Sequence, residues 1–326
     1  MAIDIPNLAH HEKLTLLLTQ AGPQPLAIEN DLAALLFHYQ LNISDIMSLS
    51  KELAGTDPQR AIKKSELSAQ FQRRLQPSFG ELAKAIPVKK DAAKIRLPDY
   101  QHSQIQSIIS WVKNRHEVFG DWGFDAHRHQ SHGISVVFSG ASGTGKSSAA
   151  QWIAAELDLP LYRVNIDTIV SKYIGETEKN LRIIFEQAEN SGAILLFDEA
   201  DALFGKRSDV NQSNDRYANM GVSYLLQRLD AFSGLCILTT NLKNSMDAAF
   251  TRRFSFVVHF PFPDQEQRRL IWETGFPDAC EKDPLDLDAL SRFNLSGGSI
   301  SNICLQSAFI AIKAKEKISM RHVIEA

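Results

Sequence analysis

Residues 140–147 read Gly140-Ala141-Ser142-Gly143-Thr144-Gly145-Lys146-Ser147, the pattern G-x-x-x-x-G-K-[ST], and no other stretch restricts the possible folds so sharply. Three glycines let the backbone curl with its N–H groups turned inward around a polyphosphate. Lys146 can then reach the β/γ oxygens, and the Ser147 hydroxyl can hold Mg²⁺. A chance glycine-rich turn would lack the flanks found here. The apolar run at 134–138 predicts a buried strand before the loop, and Ala149, Ala150, Ile153, Ala154 and Leu157 recur at helical spacing after it. The N-terminus of that helix adds its dipole to the cradle, and Ser148 completes the predicted phosphate-contacting set.

A second apolar run, 193–197, ends in Asp198-Glu199-Ala200-Asp201. Its length suits a central parallel strand, whose end places the carboxylates at the sheet edge where doubly wound folds bind ligands. Beside a phosphate cradle, Asp198 is expected to take the Mg²⁺ water shell and Glu199 to polarise a water against the γ-phosphate. Strands are also predicted at 161–165, 235–240 and 256–260, making five in an α/β core. Pro261 and Pro263 break the pattern, and 265–326 has helical spacing throughout, which predicts a small helical lid. Upstream, Ile105, Ile108, Ile109, Val112 and Val118 share one face of a helix over 101–119. That helix and the turn-rich 120–124 after it are expected against the nucleotide base.

The length of 326 residues allows about two domains. Lys and Arg number 35 against 38 Asp and Glu, a net charge of −3, so there is no general attraction to nucleic acid or an anionic membrane. Cys236, Cys280 and Cys304 are odd in number and far apart, without a C-x-x-C, which suggests neither a disulfide framework nor a zinc ribbon. The expectation is a cytoplasmic protein without a leader or membrane span. His127, His129 and His132 fall in a polar linker without interleaved Asp, Glu or Cys ligands, and are read as linker residues rather than a metal site.

The N-terminal segment repeats part of the lid. Tyr39-Gln40-Leu41-Asn42-Ile43-Ser44-Asp45-Ile46 aligns without gaps on Phe293-Asn294-Leu295-Ser296-Gly297-Gly298-Ser299-Ile300. The same register pairs Leu49 with Ile303 and Ala54 with Ala308, and a two-residue shift then pairs Ile62 with Ile318 and Leu67 with Val323. The expected organisation is an N-terminal extension at 1–24, a helical segment like a lid without a preceding core at 25–85, and a linker with leading helix at 86–130. The α/β core follows at 131–262 and the helical lid at 263–326.

Three further motifs extend the site. Leu238-Thr239-Thr240-Asn241 closes a strand with a polar residue, and Asn241 beside Asp198 and Glu199 can bond the attacking water or the γ-phosphate. Here the chain resembles the AAA+ ATPases, in which this Asn is called sensor 1. Asp247-Ala248-Ala249-Phe250-Thr251-Arg252-Arg253-Phe254 is similar to the AAA arginine-finger segment, without the Pro-Gly commonly found between its two arginines. The resemblance makes Arg252 or Arg253 the residue that reaches a neighbour's nucleotide, a task suited to a permanent, planar charge. Residues 171–180, Ser-Lys-Tyr-Ile-Gly-Glu-Thr-Glu-Lys-Asn, resemble the pore loop of AAA protein translocases, with Lys172, Tyr173 and Ile174 at the substrate-gripping tip.

No arginine stands in 295–300, where many AAA+ lids present one, which resembles the AAA clade proper. The strings 171–180, 197–207, 215–219 and 225–228 look more narrowly like AAA ATPases encoded with bacterial contractile injection systems. The basic residues Lys206, Arg207 and Arg216 are read as a second pore loop or subunit contact. From residue 97 onward the resemblance implies a P-loop AAA+ fold with a five-stranded parallel sheet. It also implies ATP/ADP and Mg²⁺ as cofactors, a hexameric ring and a protein substrate. Two alternatives stand beside it: a nucleic-acid motor or loader, which the acidic balance disfavours, and a nucleotide-gated scaffold with little turnover. No H-E-x-x-H is present to suggest a metalloprotease within the chain.

Overall fold

The computed structural model of the chain describes residues 10–21, 29–39, 41–54, 64–88, 95–124, 132–169, 176–202, 213–241 and 252–326. Its centre is a sheet of β1 (Ala83–Ile86), β2 (Ile134–Gly140), β3 (Leu161–Val164), β4 (Ile194–Phe197), β5 (Leu235–Thr240) and β6 (Phe256–Phe260), in the spatial order β1-β3-β4-β5-β2-β6. Every pairing is parallel except that of β1, which runs antiparallel to β3. The sequence predicts five strands, and the sixth, β1, is the correction. It is a four-residue edge strand, Ala-Lys-Ala-Ile, with two exposed positions and no apolar alternation to announce it.

Strands β2, β4 and β5 read as continuous apolar runs because helices cover both faces of the sheet. Alternate residues go to opposite sides. Val137, Leu195, Phe197 and Leu238 pack with Phe185 and Phe232 on one face, while Val136, Phe138, Leu196 and Ile237 pack with Ile109 and Ile153 on the other. The first face is covered by helices α8 (Glu176–Ser191) and α9 (Ser213–Ala231), which follow the one-turn α7 (Ile166–Ile169), the second by α5 (Asp99–His116) and α6 (Lys146–Leu157). Helix α5 is fixed beside β6 by Gln101, whose Nε2 donates to the His259 carbonyl at 2.9 Å, and continues into a π-helical turn, Glu117–Asp121.

Beyond β6, the Asp264 side chain caps α10 (Gln265–Thr274) in a reciprocal box with Gln267. Helices α11 (Leu287–Ser291), α12 (Gly297–Ala314) and α13 (Met320–Glu325) follow, with a core of Trp272, Phe276, Leu290, Ile300 and Cys304. Residues 275–286 are a non-helical connection, so the lid is not helical throughout as its spacing suggested. Among the described residues no helix is long and apolar enough to cross a membrane.

The N-terminal bundle consists of α1 (His10–Ala21), α2 (Glu29–His38), α3 (Ile43–Ala54) and α4 (Lys64–Arg74) around Leu17, Leu36, Ile46, Leu49 and Phe71. It takes in residues 10–21, which the sequence assigns to an extension. Its helices begin in the register of the sequence repeat: α3 starts at Ile43 and α12 at its partner Gly297, α4 at Lys64 and α13 at Met320. Paired residues share burial, Leu36 with Leu290, Ile46 with Ile300 and Leu67 with Val323.

The bundle is fastened beneath the sheet, at the N-terminal ends of its strands. Arg115 on α5 is 5% exposed, and burial pushes its guanidinium pKa down to about 10. Its Nη1 donates to the Ser233 carbonyl at 2.7 Å, and its Nη2 to the Phe37 carbonyl at 3.0 Å, with His38 Nδ1 at 2.7 Å. Gln72 Nε2 donates to the Asp158 carbonyl at 2.7 Å. Gly192, at φ +62°, lets the bundle come close, since a Cβ there would stand 2.9 Å from the His38 carbonyl oxygen and 3.0 Å from the Tyr39 ring.

A phosphate cradle between core and lid

The loop after β2 and the first turn of α6 form the cradle. Gly145, at φ 98°, opens the helix, so the unpaired N–H groups of its first turn face a cavity of about 530 Å³ between core and lid. The cavity wall includes Gly143, Lys146, Ser147, Asp198, Glu199 and Asn241, so the structure brings together both carboxylates, the cradle and the strand-ending Asn. Ser142, Thr144, Gly145 and Ser148 line it as well.

Each functional side chain is held by a named neighbour. Lys146 Nζ donates to the Gly140 carbonyl at 2.7 Å, the Ala141 carbonyl at 2.8 Å and Asn241 Oδ1 at 2.8 Å. Burial lowers the Lys146 pKa, while Asp198, Asp201 and Glu199 act in the opposite direction. Ser147 Oγ donates to Asp198, 3.0 Å from Oδ1 and 3.3 Å from Oδ2. Thr239 joins the ends of β4 and β5, its hydroxyl donating to Asp198 Oδ1 at 2.7 Å and accepting the Glu199 N–H at 2.9 Å. Glu199 takes the left-handed conformation at φ 55°, which costs a residue with a Cβ about 1–2 kcal/mol.

Residues that sequence reasoning missed complete these contacts. Asp201 accepts from the Thr240 hydroxyl and, at 3.0 Å, from the Asn241 N–H, so it orients the strand end that carries Asn241. Arg163 on β3 lies 3.4 Å from Asp198 Oδ2. Asp201 was in view in Asp198-Glu199-Ala200-Asp201, whereas nothing local to Arg163 signals its place, which depends on β3 pairing with β4. The cavity wall is also made differently from the expectation. Ile95 and Arg96 line the cavity, with Ile271 and Thr274 of the lid, while 101–119 lies along β6 and 120–124 is absent from the wall.

The lid reaches the cradle through small residues. The Gly298 N–H donates to the Gly143 carbonyl at 2.9 Å, and Gly297 and Ser301 line the cavity. Gly143 sits at φ +76°, where a Cβ would lie 2.4 Å from Ser296 Oγ, so lid and loop approach as only glycine permits.

Arg252 and Arg253 are exposed and are not part of the cavity wall. Arg253 pairs with Asp230 on α9, whereas Arg252 has no ion pair or hydrogen bond among the described residues. Lys172, Tyr173 and Ile174 lie outside the described residues, as do His127, His129, Lys206 and Arg207, and of Arg216 only the helical backbone is described. His132 packs against the Phe37 and Phe119 rings.

The clustering around Lys146 gives a direct expectation. Lys146→Ala should abolish nucleotide binding, because no other lysine or arginine shares the loop. Titration with a fluorescent ATP analogue checks this, and unchanged affinity would remove the cradle assignment.

Residues 136–262 match the ATPase family associated with various cellular activities (AAA). A proteasome-activating nucleotidase of Saccharolobus islandicus (strain M.14.25 / Kamchatka #1) is 27% identical over 260 residues, covering 74% of this chain and 65% of the relative. A 26S proteasome regulatory subunit 6B homolog of Dictyostelium discoideum is 32% identical over 224 residues, 66% of this chain and 54% of its own length. An uncharacterized AAA family ATPase, y4kL, of Sinorhizobium fredii (strain NBRC 101917 / NGR234) is 41% identical over 141 residues, 41% of this chain and 42% of that protein. The chain thus spans just under two thirds of the length of the archaeal relative. With the cradle, the paired carboxylates and the mostly parallel sheet in place, the chain carries an AAA domain of the α/β P-loop AAA+ fold.

Proposed function

We propose that the chain hydrolyses ATP at interfaces between copies of itself in a hexameric ring and uses the cycle to unfold or translocate a protein. The observation that carries the proposal is the convergence of Lys146, Ser147, Asp198, Glu199 and Asn241 on one cavity closed by the lid. Lys146 and the N–H groups at the start of α6 bind the β- and γ-phosphates. Glu199 orients the attacking water and accepts its proton as the new P–O bond forms and the bond to ADP breaks. Asn241 keeps that water in line, and Arg252 of a neighbouring copy meets the charge on the γ-phosphate.

Ser147 Oγ and the Asp198 carboxylate, 3.0 Å apart, form a pair of hard oxygen donors beside the cradle, a set that fits Mg²⁺. When bound there, the ion would neutralise phosphate charge. Thr239 and Arg163 fix the carboxylate that would hold it.

A protein substrate is favoured over nucleic acid by the net charge of −3 and by relatives named for nucleotide hydrolysis and for the proteasome. The setting proposed is cytoplasmic. Service to a contractile injection system rests on the sequence strings alone, and none of the relatives named above carries it.

Tyr173→Ala tests the protein-directed part. ATP turnover should survive within a few-fold, while force transmission to a bound polypeptide fails, because an exposed aromatic grips a chain by burial and stacking without touching nucleotide. Unfolding of a tagged reporter protein, ATPase rate and thermal melting are measured on one preparation. Unimpaired unfolding, or a conspicuously lower melting temperature, would retire the pore-loop assignment.

A further inference from the structure

Leu235, Ile237 and Thr239 fall on one face of β5, and the first two pack in the apolar layer with Ile153. Thr239 is 1% exposed at the next position of that row, where an apolar side chain would have continued the pattern. The pairing of β4 with β5 ends at Phe197 and Leu238, so Asp198, Glu199 and Thr239 stand where the ladder has stopped. There the Thr239 hydroxyl accepts the Glu199 N–H at 2.9 Å and donates its own proton to Asp198 Oδ1 at 2.7 Å. A hydroxyl has one proton to give and lone pairs to receive, and here it does both at once.

The two neighbours depend on it unequally. Asp198 has further partners in Ser147, at 3.0 Å, and Arg163, at 3.4 Å. Among the described residues the Glu199 N–H has no second acceptor, and its carboxylate, on an exposed side chain, makes no hydrogen bond or ion pair. That side chain is directed into the cavity by its backbone, which stands in the left-handed region at φ 55°. A residue with a Cβ leaves that region unless its surroundings keep it there, and the strain is of the size of one hydrogen bond. The bond to Thr239 is enough to hold the turn, and its removal is enough to release it.

We propose that Thr239 is a positioning residue for ATP hydrolysis that acts through Glu199: its hydroxyl keeps the left-handed turn that points the carboxylate at the attacking water. It rests on the reading of Glu199 as the base. Asp198 keeps its place through Ser147 and Arg163 when the hydroxyl is lost, so nucleotide binding does not depend on Thr239. Valine, with the same branched shape, offers neither bond, whereas serine, one methyl smaller, offers both.

The test compares Thr239→Val and Thr239→Ser with the parent in ATP turnover, KM, affinity for a fluorescent ATP analogue with Mg²⁺, and melting temperature. Thr239→Val should lower kcat by about tenfold or more, a share of the about 10²- to 10⁴-fold that a general base supplies. KM and nucleotide affinity should stay within about twofold, the split expected when aim is lost and binding is kept. Thr239→Ser should keep most of the parental kcat. In a Glu199→Gln chain the Thr239→Val exchange should cost no further turnover, measured as labelled phosphate released in a single turnover, because the group being aimed is already absent. A parental kcat in folded Thr239→Val, an equal loss in the Glu199→Gln background, or a Thr239→Ser chain that loses its rate would each overturn the proposal. The serine result decides the matter even where Thr239→Val fails to fold. Retention of the parental rate by Glu199→Gln alone would instead remove the reading of Glu199, and absence of turnover in the parent would count against the proposed function.

Discussion

Arg252→Ala should leave each subunit able to bind ATP and remove about 10³- to 10⁵-fold of its turnover, the range that an arginine finger supplies. Arg253→Ala should lose much less, because Arg253 already pairs with Asp230 on its own chain, an exposed contact of the kind worth at most about 1 kcal/mol. The two arginines are adjacent, so the sequence could not separate them. The measurement is phosphate release from mixtures. On the proposed function, an Arg252→Ala subunit lacks the group it would lend to a neighbour, and a Glu199→Gln subunit lacks the base in its own cavity. Mixed rings therefore contain some interfaces with both groups, and activity should reappear. No recovery at any ratio, with mixing shown by exchange of labelled subunits, would place the arginine's role within its own subunit.

Glu199→Gln should lower turnover by about 10²- to 10⁴-fold while ATP binding persists. The amide keeps the size of the side chain, and the backbone bond to Thr239 is unaffected by the exchange, so the φ 55° turn should survive. What is lost is the capacity to take a proton from water. Retention of more than about a tenth of the parental rate would assign the base elsewhere. Asp198, already tied to Ser147, Thr239 and Arg163, would then be the nearest carboxylate.

The parts of this fold that the sequence announced are those whose cause is local. A strand buried on both faces has to be apolar along its length, so β2, β4 and β5 were visible as runs, and a phosphate loop has to place glycines at fixed offsets. Strand β1 was invisible because its place depends on backbone pairing with β3 at the sheet edge, which imposes no side-chain pattern. Helix α5 was recognised, but periodicity gives a helix an inward face without an address. Its apolar side found α6 and the sheet, and the cavity wall was left to Ile95 and Arg96. In the site, Lys146, Ser147, Asp198, Glu199 and Asn241 were legible from spacing. Arg163 and Thr239 act across neighbouring strands, and only the order β3-β4-β5 makes them neighbours of Asp198.

The two helical bundles hold opposite ends of one sheet by contrasting means. Above, the lid meets the cradle through the backbone of Gly298 and Gly143, a contact with little side-chain anchorage. Below, the N-terminal bundle is pinned through a buried guanidinium and the Asp158 carbonyl. In mechanical terms, on the proposed function, the upper bundle has the seating of a lever and the lower one that of a stator. If work is released at the cradle, the part held by fewer anchoring side chains, the lid, is expected to move more than the pinned bundle. In the lower bundle Ile43 and Ser44 stand where the upper has Gly297 and Gly298, at which a Cβ would lie 3.3 Å and 3.1 Å from Gly143, so the lower bundle lacks the glycine pair that lets the lid backbone come so near the loop.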